Sequence, residues 1–352
     1  MRLGSVVSCA ALLWGCACPY PNSPLLAARA EPTSHARPVE LAADTKLAVI
    51  GDVQRTSWAE RCLLCRELND GPQRGLRDDL GRRDFGALVL LGDMAFSGSD
   101  EDWAHFDAWL APLLVSRPGL PLVPVMGNHD YYPDAALQVR RRFPDLDGSE
   151  GASRYAVRWG AVRLLVLDGN RREIEGSAPC IRSERVPLSC DDGWQRQLDW
   201  LRRELAEVDA SPTDRGAILF VHQSPYTRSP WVQPDQHDAR QLAAELFRSR
   251  RGLALISAHA HGFERYRYVR DRRDQRAPKY FLVSAGGGGP RPHAPRHDTP
   301  PDLSQLGWPR PFHYLILEQS AARVRVTVHA LRDDEARETE ELGDEATALE
   351  FE

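Results

Sequence analysis

Residues 123–133, VPVMGNHDYYP, place a polar cluster directly after an apolar run. The run indicates a buried strand, and Asn128, His129 and Asp130 follow where that strand would end. Polar side chains of these kinds are costly to bury without partners, so packing alone does not explain three of them together. The stretch therefore predicts a strand that delivers functional groups to the edge of a sheet.

Four further apolar runs, 47–50, 87–91, 217–221 and 253–258, end in the same classes of residue. The residues that follow them, in chain order, are Asp52, Gln54, Asp93, His222, His259 and His261. Ligands of open α/β sheets gather outside the carboxyl ends of the strands, so we expect these side chains to converge. His259 and His261 lie two apart, and in an extended segment they would point to the same side.

The order of apolar runs and helical patterns predicts the α/β class. Amphipathic helices are expected at 100–114, 194–208 and 239–249, and a hairpin or meander at 154–169. The β-α-β order of the first runs favours a partly parallel sheet. A second set of strand patterns, at 263–269, 279–285, 313–319 and 322–331, follows the helices. We therefore expect two packed sheets with helices outside.

The converging residues make up a set of metal ligands. Carboxylate and amide oxygens together with imidazole nitrogens suit a divalent first-row ion. They are too many for one ion, whereas two ions that share one carboxylate fit their number. A pair of metals about 3.5–4 Å apart is the arrangement used for in-line displacement at phosphorus. The sequence thus indicates a dinuclear centre.

The series GD-x-Q, GD, GNHD, H and H-x-H resembles the motifs of the calcineurin-like metallophosphoesterase superfamily over residues 46–331. The resemblance implies a metallophosphoesterase-type β-sandwich of two mixed sheets flanked by helices. It also implies that Asp93 bridges two metals, with two sets of residues around it. These sets are Asp52, Gln54 and His261 for the first site, and Asn128, His222 and His259 for the second.

By the same resemblance, His129 lies beside the substrate phosphate, and Asp130 orients His129 and raises its basicity. Both are therefore candidate catalytic residues. The implied reaction is hydrolysis of a phosphomonoester, small phosphodiester or pyrophosphate by a hydroxide that bridges the metals. Arg55, directly after the first motif, could reach a phosphate, and Tyr131 and Tyr132, directly after GNHD, could flank the leaving group. Solvation of Arg55 and core packing of the two tyrosines are the alternatives.

The chain departs from the family pattern at two informative positions. Gln54 stands where histidine is usual, and its harder, neutral oxygen favours Mn²⁺ among Mn, Fe, Mg and Zn. Phe96 stands where purple acid phosphatases have a tyrosine ligand, so no tyrosinate-iron colour is expected. The second motif also lacks the arginine element of Ser/Thr protein phosphatases, which disfavours that branch.

The N-terminus predicts export. Residues 1–16 combine Arg2, a short apolar run and Cys16 in a pattern that resembles the bacterial lipoprotein box. We expect a lipidated Cys16 and a membrane-anchored or periplasmic protein, with a plain secretory signal as the alternative. Residues 17–44, rich in proline and alanine, predict a tether; residues 45–331 form the predicted catalytic domain, and residues 332–352 a solvated acidic tail.

Cysteine usage also fits an oxidising compartment. Cys180 and Cys190 flank a polar loop and are predicted to pair. Cys62 and Cys65 could form a local disulfide, a redox pair or half of a zinc site, although no second pair has zinc-finger spacing.

The formal net charge of −5 gives no sign of a nucleic-acid-binding protein. The expected partner is a phosphorylated small molecule. An inactive metal-binding recognition domain, or an exported nuclease or nucleotidase on the same core, are the alternatives.

Overall fold

The computed structural model describes residues 32–64, 66–132, 134–146, 153–171, 193–229, 236–268, 279–290, 303–304, 311–332, 338–341 and 347–351. Within these residues the strands are β1 Glu40–Leu41, β2 Leu47–Ile50, β3 Ala87–Leu90, β4 Leu122–Pro124, β5 Tyr155–Trp159, β6 Val162–Val166, β7 Gly216–Phe220, β8 Gly252–Ser257, β9 Phe263–Tyr268, β10 Lys279–Ser284, β11 Leu303–Ser304, β12 His313–Gln319, β13 Arg323–Leu331, β14 Thr339–Glu341 and β15 Thr347–Glu350. The helices are α1 Trp58–Cys62, α2 Asp70–Arg82, α3 Asp100–Ser116, α4 Ala135–Arg142, α5 Gly193–Ala210 and α6 Gln236–Arg248, with short 3-10 turns at His129–Tyr131 and Pro144–Leu146.

Two mixed sheets form the centre of the described structure. Sheet A has the strand order β1-β5-β6-β7-β8-β10-β9-β11, and sheet B the order β14-β13-β12-β2-β3-β4 with β15 also on β13. Strands β2, β3 and β4 run parallel in sheet B, as β6, β7 and β8 do in sheet A. The sheets pack face to face, since β10 contacts β12 and β15 contacts β8. The predicted α/β sandwich is confirmed.

The helices lie on the outer faces of the sandwich. Helix α5 packs on α6, β6 and β7, and α2 packs on α3 and contacts β13 and β14. The apolar faces predicted for α3 and α5 are buried, because both helices repeat their large apolar residues every three or four positions. Ser99 caps α3 by accepting a hydrogen bond from the Asp102 amide at 3.1 Å, which places the helix start where the sequence predicts it.

Helix α2 was not expected, since its sequence DGPQRGLRDDLGR contains a proline and three glycines. Pro72 lies in the first turn, where a missing N–H leaves no intrahelical bond unmade. The buried residues Gln73, Gly75, Leu76 and Leu80 fix the helix against its neighbours. Tertiary packing therefore outweighs low helix propensity here.

The expectation of a solvated acidic tail after residue 331 is wrong for the residues described. Strand β14 pairs with residues 329–331 of β13, and β15 pairs with residues 323–326, so that Leu349 is only 1% exposed. Strand β1 likewise pairs with β5, inside the stretch predicted as a tether. The folded unit thus reaches beyond both predicted limits.

A buried carboxylate fastens the tail to the domain. Asp79 of α2 accepts hydrogen bonds from Tyr314 at 2.5 Å, from Thr339 of β14, and from Arg83 at 3.2 Å. Burial alone would raise the pKa of Asp79, but these donors outweigh it and hold the pKa below its usual value of 3.8. The ionised form of Asp79 is therefore stabilised by folding.

We expect Asp79→Asn to lower the free energy of unfolding by about 1.5–3 kcal/mol at pH 7, because charge-assisted hydrogen bonds are lost. Urea unfolding would measure this. Since the folded pKa is depressed, the difference from wild type should be present above pH about 4 and shrink as pH falls below it. The exposed neighbour change Asp78→Asn should stay within about 0.5 kcal/mol, and equal losses in both variants would refute the anchor.

Candidate metal centre

The carboxyl ends of strands from both sheets meet at one place. Strands β2, β3 and β4 of sheet B end near β7 and β8 of sheet A, and the His259 amide donates to Asp52 Oδ2 at 3.0 Å across the junction. The Ala258 amide donates to the His222 carbonyl at 2.9 Å, which ties together the segments that follow β7 and β8. The residues predicted at these strand ends are thus brought together by the packing of two sheets.

Two groups of potential ligand atoms share one carboxylate. Within each group the ligand atoms lie within 4.8 Å of one another. Asp52, Asp93 and His261 form one group, and Asp93, His222 and His259 form the other. Asp93 belongs to both, which is the arrangement that two bridged cations require. Asn128 lines the same cleft.

Backbone carbonyls orient the imidazoles. His222 Nδ1 lies 2.7 Å from the Leu91 carbonyl oxygen, and His261 Nδ1 lies 2.6 Å from that of Pro290. With Nδ1–H donating to these carbonyls, each Nε2 is left as a lone-pair donor. The Nε2 atoms lie 3.2 and 3.3 Å from the aspartate oxygens of the two groups. This is how metal-ligating histidines are usually held.

The backbone is left-handed at four of the ligand positions. These are Asp52 at φ 56°, Asp93 at 52°, His259 at 67° and His261 at 48°. Such values are uncommon outside glycine and collect at functional sites. The extended segment expected for His259 and His261 is therefore wrong. Each turns the chain, and the two imidazoles join different ligand groups.

Three buried oxygens in this region lack a hydrogen-bond partner: Asp52 Oδ1, Gln54 Oε1 and Asn128 Oδ1. Buried acceptors are rarely left without partners, because their desolvation is costly. The Gln54 carboxamide lies beside Asp93, with Nε2 3.4 Å from Oδ2. Divalent cations would satisfy all three oxygens, so the donor set fits the implied metals.

A buried network holds the backbone that carries Gln54. The Gln73 side-chain amide donates to the carbonyls of Val53 and Gln54 at 3.0 and 2.9 Å. His105 Nε2 lies 2.7 Å from Gln73 Oε1. Burial, aided by the charge of Arg55, lowers the pKa of His105 to about 4, so it is neutral and donates to Gln73. The unusual ligand therefore rests on a fixed support.

Asp93 and His222 shift each other's pKa in opposite directions. Burial alone would raise the pKa of Asp93, but the positive charges of His222 and His129 hold it well below its usual range. Burial alone would lower the pKa of His222, whereas the Asp93 carboxylate raises it to about 10. At neutral pH His222 is therefore protonated without metal, and a cation must displace that proton.

Asp130 does not orient His129, and that prediction is wrong. Its carboxylate accepts hydrogen bonds from the backbone amides of Asp93, Met94 and Gly127 at 3.0, 3.1 and 2.9 Å. It thereby joins the ends of β3 and β4 and positions the shared ligand. The Phe96 carbonyl orients His129 instead, with its oxygen 2.6 Å from Nδ1.

Two of the predicted substrate contacts lie elsewhere. Arg55 is 3% exposed and faces Glu101 at 3.3 Å and Asp70 at 3.8 Å. Tyr131 donates its hydroxyl hydrogen bond to the buried Asp168 and packs against the core. Neither side chain lines the described cleft. Both therefore serve the fold rather than the substrate.

The cleft above the ligands has a volume of about 250 Å³. Its lining includes His129 and four of the ligand candidates, Asp93, Asn128, His259 and His261, and the further lining residues are Glu60, Leu64, Arg66, Ser229, Ala260 and Pro290. Sequence reasoning did not find these, because they follow no motif. Those at 60–66 come from α1 and the turn after it, which have no strand-end signal.

Only one of the cysteines in the predictions lies within the described residues. Cys62 is disulfide-bonded, whereas Cys65, Cys180, Cys190 and Cys16 lie outside the described residues, so their pairing and lipidation stay predictions. In the part of the chain that the structure describes, no helix has the length and apolar character needed to cross a membrane.

A known protein family matches the part of the chain that carries this site. The model of the calcineurin-like phosphoesterase family matches residues 45–263. The chain belongs to that family. Its matched region contains every ligand candidate named above.

Individual relatives are distant. A purple acid phosphatase of Arabidopsis thaliana is 21% identical over 69% of this chain and 50% of its own length. A probable cyclic nucleotide phosphodiesterase of Rhodococcus erythropolis is 28% identical over 50% of this chain and 51% of its own. The chain thus spans about half the length of these relatives. A dimetal phosphatase from Danio rerio shares the fold, with TM-score 0.58, 16% identity and coverage of 88% of this chain and 100% of its own.

We expect Asp93→Asn to abolish the binding of both ions, because the two groups share this carboxylate. Gln54→Ala should weaken one site by about tenfold or more and spare the other. Metal content of the purified variants and calorimetric Mn²⁺ titration would measure this. The exposed Gln195→Ala is the matched control, and equal effects of Asp93→Asn and Gln54→Ala would contradict a shared ligand.

Mn²⁺ affinity should rise with pH, since His222 must lose a proton to bind metal. The pKa of His222 is raised to about 10. Below that pH, displacement of its proton should lower the affinity for Mn²⁺ by about tenfold per pH unit. Titrations at three pH values between 6 and 8 test this, and a flat profile would show that His222 binds metal without releasing a proton.

Proposed function

We propose that this protein is a dinuclear metal-dependent phosphoesterase that hydrolyses a phosphomonoester, a small phosphodiester or a pyrophosphate. The observation that carries the proposal is the shared carboxylate: two ligand groups meet at Asp93 beneath an open cleft. Membership of the calcineurin-like phosphoesterase family supports the reaction class. Mn²⁺ is the favoured ion, because Gln54 would offer a neutral amide oxygen.

Different side chains of the site would hold the two ions and position the shared ligand. When bound, the two ions supply positive charge beside the phosphate and an activated water. Asp52, Gln54 and His261 would hold one ion, and Asn128, His222 and His259 the other, with Asp93 between them. Asp130 keeps the strand ends that carry Asp93 in register through its three backbone contacts.

His129 is the candidate acid of the cleft. Its Nδ1 is tied to the Phe96 carbonyl, and its Nε2 lies 4.0 Å from Asp93 Oδ2 at the cleft wall. A phosphate placed at the ligand groups would therefore lie within reach of Nε2. There a protonated imidazole stabilises negative charge on the phosphate and gives a proton to the leaving oxygen.

The alternative of an inactive metal-binding domain is less well supported. A binding domain needs no imidazole beside the ligand groups, yet His129 is held there by a dedicated hydrogen bond. The named relatives comprise a purple acid phosphatase and a probable cyclic nucleotide phosphodiesterase, so monoesters, diesters and nucleotides all belong in a substrate panel.

We further propose that the chain is exported, with a lipid anchor at Cys16. The support is the N-terminal pattern of residues 1–16 and the disulfide-bonded Cys62, since disulfides persist in oxidising compartments. Radiolabelled palmitate incorporation into wild type and Cys16→Ser, expressed in a bacterium, would test this anchor.

His129→Ala should lower kcat by about 10²–10⁴-fold, because general acid catalysis contributes about that factor. The test uses p-nitrophenyl phosphate and bis-p-nitrophenyl phosphate with Mn²⁺, and metal content should stay unchanged. The exposed His237→Ala on α6 is the matched control. Absence of turnover of any panel substrate by metal-loaded wild type would reject the enzyme proposal.

A further inference from the structure

Most residues that line the cleft are polar, and one large apolar side chain lies among them. Leu64 lines the cleft and is 52% exposed. It follows α1 in a turn that brings Glu60 and Arg66 to the same wall. A half-exposed leucine on a protein surface is unremarkable by itself, but this one faces the space above the ligand groups.

The backbone holds Leu64 in a fixed position. Its amide donates to the Ala59 carbonyl at 3.3 Å, and the Arg66 amide donates to the Glu60 carbonyl at 2.9 Å. The Ser57 side chain accepts from the Glu60 amide at 3.1 Å, and the Glu60 carboxylate accepts from the Ser57 amide at 2.8 Å. The wall is therefore preorganised, and little further ordering would be needed when it contacts a ligand.

An aromatic ring lies beside His129. Tyr132 is 40% exposed, and the centroids of its ring and the His129 imidazole are 4.5 Å apart. The pKa of Tyr132 is raised by burial and by the charges of Asp93 and Glu60. Tyr132 is not among the residues that line the described cleft, so it borders the cleft through its ring contact with His129.

These positions bear on the leaving group. If His129 protonates the leaving oxygen, the substituent on that oxygen would lie next to His129, which packs against Tyr132 and lines the same cleft as Leu64. Contact with Leu64 and the tyrosine ring favours an apolar substituent.

We propose that Leu64 and Tyr132 form a leaving-group subsite that favours phosphoesters of apolar alcohols. The inference rests on the proposed function. In the balanced reaction, the oxygen of water forms a bond to phosphorus and the P–O bond to the alcohol breaks. The leaving oxygen gains one proton, so that R–O–PO₃²⁻ and water give R–OH and hydrogen phosphate.

A series of short n-alkyl phosphates tests the subsite. Ethyl, butyl and hexyl phosphate have leaving groups of nearly equal acidity and differ only in apolar surface. For wild type with Mn²⁺, kcat/KM should rise about two- to fourfold per methylene, as expected for partial to full burial. Leu64→Asn should flatten this dependence.

Leu63→Asn is the matched control, because Leu63 is 65% exposed on the same turn but does not line the described cleft. It should keep the wild-type dependence on chain length. Tyr132→Ser, as a second variant, should also reduce the dependence of kcat/KM on chain length.

The outcomes separate the two proposals. If metal-loaded wild type hydrolyses all three esters with equal kcat/KM, or if Leu63→Asn flattens the series as much as Leu64→Asn, the subsite is refuted and the phosphoesterase stands. If wild type turns over another panel substrate but none of these alkyl esters, the subsite is likewise refuted. If it turns over no panel substrate at all, p-nitrophenyl phosphate and bis-p-nitrophenyl phosphate included, the proposed function itself fails.

Discussion

The carboxylate of Asp130 is the interaction on which the rest of the site depends. It is fully buried and accepts hydrogen bonds from three backbone amides in the segments that follow β3 and β4. Those segments carry Asp93 and Asn128, so the spacing of ligands from two strands is set by one side chain. Close approach is possible because residue 127 is glycine: a Cβ there would lie 2.3 Å from both the amide nitrogen and Oδ1 of Asp93. The charge of Asp93 and burial together raise the pKa of Asp130 to about 7, with burial the larger cause. This carboxylate is therefore held in place by donors rather than by solvent.

The ligand set is costly to assemble and is supported from several directions. Four ligand residues adopt left-handed backbone, and the surrounding structure must hold each of them there. Glycines of the loop after β10 contribute, since the amides of Gly287 and Gly289 donate to the carbonyls of Gly51 and Asp52 at 2.9 and 2.7 Å. Cations would offset part of this cost by satisfying the buried oxygens that lack partners. Metal binding and folding are therefore expected to be coupled.

The sequence predicted the sandwich and the converging strand ends because both depend on local patterns. Short apolar runs followed by polar residues can be recognised from the sequence alone, as at Asp93 and His222. Roles that depend on distant partners could not be read in this way. Asp130 adjoins His129 in sequence, but the 3-10 turn directs its carboxylate to the backbone of β3 and β4. Arg55 follows a ligand motif, yet its guanidinium pairs with Asp70 and Glu101, which lie further along the chain. Helix α2 and the strands of the tail form through tertiary contacts that local propensity does not encode.

The strands of the C-terminal segment also determine how sheet B ends. Without them β13, nine residues long, would be an edge strand with a full row of unpaired amides and carbonyls. Long edges of this kind pair readily with strands of other molecules. Strands β15 and β14 cover its two ends instead, and both are too short to offer a comparable template. The acidic segment thus limits intermolecular sheet extension. Its glutamates Glu340, Glu341 and Glu350 form ion pairs with Arg332, Arg325 and Arg323, which fasten the two short strands to this edge.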